Sequence, residues 1–273
     1  MFSSVLVPLD GTSFSEQSLP LARLVGAAPT TRLHLVSVND DFVAAEDYLT
    51  NVADDLRVSN LEVDQAVVGG GKVVEALEKH AKQVGADLIV MATHGRAGLD
   101  RLRLGSVAEG LVTCGVAPIL LYHPEESYST PQAIERVVIP LDQSAYAQSI
   151  LEPVQALGKA AGVKSYTIVH VAESKRVGKA GWTPLASIQA QAMERLAPIR
   201  ERLSADGADV DVHVVMASDP AEGILGVARD TEADLIAMTT HGMTGVRPTL
   251  VGSVAAQVLH KWHGALLLRR PVA

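Results

Sequence analysis

The sequence predicts two tandem α/β domains, each a doubly wound five-stranded parallel sheet. Three observations carry this. An internal repeat runs through the 273 residues, each copy alternates apolar runs with helical patterns, and only 4% of residues are aromatic. The apolar 48% is mainly Val, Leu, Ala and Ile, the composition of strands buried on both faces and of the helices that cover them.

The repeat is read from three blocks in the same order. Val5-Leu6-Val7-Pro8-Leu9-Asp10 returns as Val137-Val138-Ile139-Pro140-Leu141-Asp142, an offset of 132. Ala86-Asp87-Leu88-Ile89 through Thr93-His94-Gly95 returns as Ala233-Asp234-Leu235-Ile236 through Thr240-His241-Gly242, an offset of 147 that Gly105-Ser106-Val107-Ala108 and Gly252-Ser253-Val254-Ala255 keep. The second copy therefore carries about 15 extra residues, expected around Glu173 to Ala186, where SKRVGKAGWTP has loop composition. The join falls near His123 to Gln132, a Pro- and Glu-containing linker, which gives domains over 1–127 and 133–273.

In the first copy strands are expected at Ser4-Leu9, Leu33-Val38, Glu62-Val68, Asp87-Ala92 and Ala117-Tyr122. Helices fall near Ser13-Ala27, Lys72-Val84 and Ser106-Thr113, with a weaker helical pattern at Asp41-Val58. The second copy places strands near Arg136-Leu141, Ser165-Val171, Asp209-Met216, Asp234-Thr239 and Ala265-Arg269. Right-handed crossovers make each set a parallel sheet.

Charge narrows the partners. The net charge is -8 and no run of Lys or Arg appears, so nucleic acid is not an expected partner. No apolar run reaches the roughly 20 residues that span a bilayer, and the N-terminus lacks a basic start followed by a long apolar stretch. With Cys114 as its one cysteine, the chain has no intramolecular disulfide and no cysteine-cluster metal site. The expectation is a cytoplasmic protein with no membrane partner.

Ligands of doubly wound sheets collect beyond the carboxyl ends of the strands, where the winding reverses. The first strand ends in Pro8-Leu9-Asp10, and the fourth runs into Thr93-His94-Gly95-Arg96-Ala97-Gly98 and on to Gly105-Ser106. Glycines admit an anion close to the backbone, and the helix start at Ser106 presents unpaired N–H groups and a positive dipole end.

This loop resembles that of the universal stress proteins, whose ATP-binding members carry Gly, two residues, Gly, nine residues, then Gly-Ser/Thr. Nine residues separate Gly95 from Gly105-Ser106, and nine separate Gly242 from Gly252-Ser253. The first glycine of the pattern is replaced by Ala92 and by Thr239. Thr239 carries a branched side chain, so the first site ranks above the second. The resemblance covers essentially the whole chain, including Gly85-Ala86-Asp87-Leu88-Ile89 and Ser218-Asp219-Pro220-Ala221-Glu222.

The resemblance implies a Rossmann-like fold of the adenine nucleotide alpha hydrolase type and binding of ATP, ADP or AMP. Pro8 and Asp10, with Pro140 and Asp142, would lie beside the adenosine, flanked by Leu9, Leu141, Met91, Ala92, Met238 and Thr239. Val38 and Val171 would offer backbone hydrogen bonds to adenine. His94, Gly95, Arg96, Gly98, Gly105, Ser106 and Val107 would take ribose and phosphates, as Gly242, Gly245, Gly252, Ser253 and Val254 would in the second copy. Magnesium or manganese would bridge the phosphates, with no protein ligand set evident. The resemblance also implies an internal pseudo-dimer through Ala117-Tyr122 and Ala265-Arg269, with room for a further homodimer.

Plainer readings stand beside these. Gly95 and Gly98 fit a tight turn, and Ser106 with Glu109 fits a capping box, which Ser253 lacks because Ala256 replaces the glutamate. Asp10 and Asp142 fit helix caps. His94 and His241 fit structural hydrogen bonds, since no second acid or base recurs with them. Arg96, Arg101, Arg103 and Arg247 fit a solvated loop, and Cys114 fits a helical core position.

The expected function is nucleotide binding in a stress response or in regulation, with little or no catalysis. A module that has lost its ligand and a slow ATPase are the alternatives. Leu9-Asp10-Gly11-Thr12 suggests a haloacid-dehalogenase-like phosphohydrolase, but Pro8 stands where its nucleophile would be. No Gly-Lys-Ser/Thr follows a glycine loop and no Gly-x-Gly-x-x-Gly occurs, which disfavours Walker ATPases and dinucleotide enzymes.

Overall fold

A computed structural model describes residues 1–93, 105–123, 131–173, 185–241 and 251–271. The first half runs β1 (Ser4–Pro8), a 3-10 turn (Ser15–Ser18), α1 (Leu19–Gly26), β2 (Arg32–Val38), α2 (Phe42–Val58), β3 (Glu62–Val68), α3 (Val73–Gln83), β4 (Leu88–Ala92), α4 (Ser106–Cys114) and β5 (Ile119–Tyr122). The second runs β6 (Arg136–Pro140), α5 (Ala145–Gln148), α6 (Leu151–Ala161), β7 (Ser165–Glu173), α7 (Leu185–Ser204), β8 (Asp209–Ala217), α8 (Pro220–Asp230), β9 (Leu235–Thr239), α9 (Ser253–Lys261) and β10 (Ala265–Arg269).

All ten strands join one sheet in the order β3-β2-β1-β4-β5-β10-β9-β6-β7-β8. Within each half the pairing is parallel, as the apolar runs predict. The central strands Leu88–Ala92 and Leu235–Thr239 are buried at every position because helices cover both faces. The edge strands read differently. Glu62 and Asp64 on β3, and Asp209 and Asp211 on β8, are exposed, and such charges discourage pairing with another chain.

The halves meet where β5 and β10 pair antiparallel, with Leu120 opposite Leu267. These two residues are 147 positions apart, the offset of that part of the repeat, so the pair sits on a pseudo-twofold axis. Both are fully buried. Helices α1 and α6, which hold equivalent places in the two copies, pack on each other across the same axis. An Arg270 guanidinium N–H donates to the Thr113 carbonyl in the last turn of α4, a favourable place for a cation. The pseudo-dimer expected from the resemblance is thus present within the chain.

Two cores run the length of the sheet. One lies under α1, α2, α6 and α7, the other under α3, α4, α8 and α9. Strand register also locates the extra length of the second copy. Ser165 answers Arg32, 133 positions on, whereas Asp209 answers Glu62, 147 positions on, so the insertion lies between β7 and β8. Residues 174–184, where most of it was expected, lie outside the described residues.

Four expectations are corrected. The helix expected over Ser13-Ala27 divides into a 3-10 turn and α1, because Pro20 in the first turn of α1 cannot donate the bond that a continuous helix needs. Cys114 is exposed. The buried stripe of α4 is Ala108, Leu111 and Val112, and Cys114 falls roughly a third of a turn away from it. Partial desolvation of its sulfur and the neighbouring Glu78 carboxylate push the thiol pKa up, which keeps it protonated and slow as a nucleophile. The third and fourth corrections, at the start of α4 and at the aspartate turns, belong to the site.

His34 on β2 and His80 on α3 are half-buried, and burial lowers both pKa values. Asp64 pulls His34 the other way without overcoming burial, and His34 itself lowers His80. The unfolded chain therefore takes up these protons first as pH falls. Stability is full above the ordinary histidine pKa and is lost as pH falls through the lowered folded values. Urea unfolding between about pH 7.5 and 5 should show this loss, and His80→Gln should reduce its slope.

Candidate functional site

The strand order reverses its winding between β1 and β4, and the site is built on the loops that leave these two strands. After β1, Leu9 continues the ladder by donating its N–H to the Val36 carbonyl at 2.9 Å, and Leu141 does the same to Val169 at 2.8 Å. Both leucine side chains are core, 3% and 2% exposed. Pro8 and Pro140 end their strands half-buried. The chain then turns at an aspartate. Asp10 Oδ1 accepts from the Thr12 N–H at 3.0 Å and hydroxyl at 2.5 Å; Asp142 Oδ1 accepts from Ser144 in the same way, at 3.0 and 2.6 Å.

These carboxylates close Asx turns and do not cap helices. The cap of α5 is Ser144, whose hydroxyl accepts from the Ala147 N–H at 3.0 Å. The first copy repeats this arrangement, with the Thr12 hydroxyl accepting from the Ser15 N–H at the start of the 3-10 turn at 3.2 Å and the Ser15 hydroxyl donating to the Thr12 carbonyl at 2.9 Å. Val38 and Val171, near the ends of β2 and β7, are half-buried on the same edges.

The second wall comes from β4 and β9. Met91 and Ala92, with Met238 and Thr239, are buried under the helices. Thr93 follows Ala92, is 4% exposed and donates its N–H to the Tyr122 carbonyl. Its hydroxyl oxygen accepts from the Gly105 N–H at 3.3 Å and so ties the end of β4 to the start of α4. Gly105 is the N-cap, and Ser106, exposed, is the first helical residue. The first helical bond runs from the Glu109 N–H to the Gly105 carbonyl.

The expected Ser106 and Glu109 capping box is therefore absent. It requires the serine at the N-cap, and the helix starts one residue earlier, which moves Glu109 a position too far along. The N-caps of α4 and α9 are glycines and supply no side-chain cap, and among the described residues the one side chain that takes an N–H at the start of α4 is Thr93, at Gly105. Val107 is half-buried and Ser253 exposed at the matching helix starts, and Val254 is half-buried.

The second copy is wired differently. The Gly252 N–H donates to the Thr240 main-chain carbonyl at 2.7 Å, where the first copy used a threonine hydroxyl. The Thr239 hydroxyl donates to the His241 carbonyl at 2.8 Å. His241 is 4% exposed, its Nδ1 3.0 Å from the Thr240 hydroxyl, a structural contact of the kind expected. Thr93 and Thr240 were not among the predicted site residues, although the repeated Thr-His-Gly carried the signal. His94, Gly95, Arg96, Gly98, Arg101, Arg103, Gly242, Gly245 and Arg247 lie outside the described residues. Among the described residues no three His, Cys, Asp or Glu side chains gather as metal ligands.

With this geometry in hand, comparison with known proteins decides the family. The model of the universal stress protein family matches residues 1–123 and again residues 133–268. The chain belongs to the universal stress protein family. A universal stress protein of Mycobacterium tuberculosis is 29% identical over 182 residues, which cover 64% of this chain and 59% of that protein. The match thus spans about three-fifths of that relative's length. One from Bacillus subtilis is 21% identical over 146 residues, 44% of this chain and 99% of its own.

Solved structures support the fold. A universal stress protein from Archaeoglobus fulgidus has a TM-score of 0.70 at 20% identity, covering 98% of each chain. A putative one from Pseudomonas aeruginosa has a TM-score of 0.74 at 17% identity, covering 99% of this chain and 94% of its own. Among the described residues of this universal stress protein no helix is long and apolar enough to cross a membrane.

One consequence concerns Gly252. A Cβ there would lie 2.6 Å from the Thr240 carbonyl oxygen, against backbone that cannot swing aside. Gly252→Ala should lower stability by about 1–3 kcal/mol in urea unfolding, with or without added ligand. An unchanged midpoint would show that the contact is not held in solution.

Proposed function

We propose that this protein binds an adenine nucleotide, ATP, ADP or AMP, at the carboxyl edge of β1, β2 and β4, and acts in a stress response or in regulation by changing shape or association when loaded. The observation that carries the proposal is the juxtaposition at this edge of Asp10, Val38 and the start of α4, where among the described residues no side chain takes the N–H groups of Ser106 and Val107. Family membership supports it. An uncapped helix start directs N–H groups and a positive dipole end outward, which suits phosphate.

In this reading Asp10 holds the ribose or adenine by hydrogen bonds, braced by its turn with Thr12. The Val38 backbone reads the adenine edge. The N–H groups of Ser106 and Val107 hold the phosphates, which pack closely against Gly105 together with Gly95 and Gly98, and magnesium or manganese would offset phosphate charge there. No catalytic residue is assigned, and the proposal includes at most slow ATP hydrolysis. Domains over 1–127 and 133–273, a cytoplasmic location that suits one cysteine, and a further homodimer complete it.

The second pocket, with Pro140, Asp142, Val171, Gly252, Ser253 and Val254, ranks below the first. The Gly252 N–H is held by the Thr240 main-chain carbonyl at 2.7 Å, a shorter and more rigid contact than the 3.3 Å bond from the Gly105 N–H to the Thr93 hydroxyl. Thr239 adds bulk where the family pattern has glycine. This favours the reading of lost binding for the second copy only.

Isothermal titration calorimetry with ATP, ADP and AMP tests the proposal. Gly105 has an ordinary extended backbone, φ -55 and ψ 146, so Gly105→Val should fold. It should weaken the tighter site by at least about tenfold, the loss of roughly 1.4 kcal/mol. Absence of binding at millimolar nucleotide would overturn the proposal.

A further inference from the structure

The carboxyl edge of the second half carries a feature that nucleotide binding does not use. A cleft of about 380 Å³ is lined by Gln143, Gln148, Arg195, Leu196 and Ile199. Leu196 and Ile199 are its apolar floor, 1% and 7% exposed. Such a volume falls within the range of small-molecule pockets.

Its polar wall is built as a chain of hydrogen bonds. Arg195 Nη1 donates to Gln143 Oε1 at 2.8 Å, and the Gln143 amide nitrogen lies 3.2 Å from His170 Nε2. His170 Nδ1 is 2.9 Å from the Leu141 carbonyl oxygen. A carbonyl only accepts, so Nδ1 carries the hydrogen and Nε2 accepts from the amide. Gln143 is thereby oriented at both ends. It is also held at φ +66, a left-handed conformation uncommon for glutamine, so the surroundings impose it.

Among the described residues Arg195 makes this one hydrogen bond and no ion pair, while Asp142 Oδ1 is engaged in its own turn. The first half supplies an internal contrast. By the repeat, Gln143 answers Gly11 and Gln148 answers Glu16, 132 positions apart, and Arg195 answers Tyr48, 147 positions apart. There a carboxylate, Glu16, stands beside the Tyr48 hydroxyl, and burial together with that carboxylate raises the hydroxyl pKa above its ordinary value. The two copies have diverged in charge at the same place.

We propose that the second-half cleft is a binding site for a small organic oxyanion, a carboxylate or phosphate monoester with an apolar portion, separate from the nucleotide site. Arg195 supplies the cation, the Gln143 and Gln148 amides supply directed donors, and Leu196 with Ile199 take the apolar portion. The site stands whether or not nucleotide binds elsewhere.

Calorimetry on the full chain with benzoate, phenyl phosphate and inorganic phosphate tests it. At least one aromatic probe should bind, and whichever is tighter identifies the carboxylate or the phosphate monoester as the recognised group. Inorganic phosphate should bind at least about tenfold more weakly because the apolar floor is unused. Arg195→Gln, on an exposed helix surface, should weaken the aromatic probe at least about tenfold, whereas Glu16→Gln should leave it unchanged. Three results would overturn the proposal: no aromatic probe bound at millimolar concentration, binding indifferent to Arg195→Gln, or displacement of the probe by ATP.

Discussion

Parallel pairing within each half is the constraint on which the rest of this molecule depends. When β1, β2 and β4 all run the same way with right-handed crossovers, their carboxyl ends share one edge with the start of α4. Asp10, Val38, Thr93 and Gly105 come from four separate stretches of sequence and are gathered there by topology alone. The antiparallel joint between β5 and β10 then reverses the second half. Its carboxyl edge, with Asp142, Val171 and Gly252, lies at the opposite side of the ten-stranded sheet. Two pockets placed so cannot share one ligand, and each half has been free to change.

The direction of that change is visible residue by residue. Both halves keep the aspartate turn after the first strand, down to the hydroxyl that the carboxylate accepts from. They differ in how the end of the fourth strand meets the following helix, through the Thr93 hydroxyl in one and the Thr240 carbonyl in the other. They differ again where Gln143 and Arg195 replace Gly11 and Tyr48. Duplication with a shared frame and private loops accounts for both the likeness and the divergence.

Much of this was legible in the sequence because burial on both faces leaves a plain mark. Runs such as Leu88-Ile89-Val90-Met91-Ala92 are apolar at every position, and the repeat fixed how many strands to expect. The pseudo-dimer through the last strands followed from family resemblance rather than from any residue pattern. What escaped depended on a single step of helical register or on distant pairing. The start of α4 at Gly105 instead of Ser106 removed a capping box, and a third of a turn around the same helix took Cys114 out of the core. The Arg195, Gln143 and His170 chain joins three elements, and no local motif announces it.

Hydrogen exchange on the full chain with and without ATP addresses the central claim most directly, because it reports where a ligand sits. Slowed exchange should appear at the carboxyl ends of β1 and β2 and at the start of α4, from Gly105 to Val107, with a smaller effect at Gly252 to Val254. Protection confined to other surfaces, or none at saturating ATP, would contradict the account.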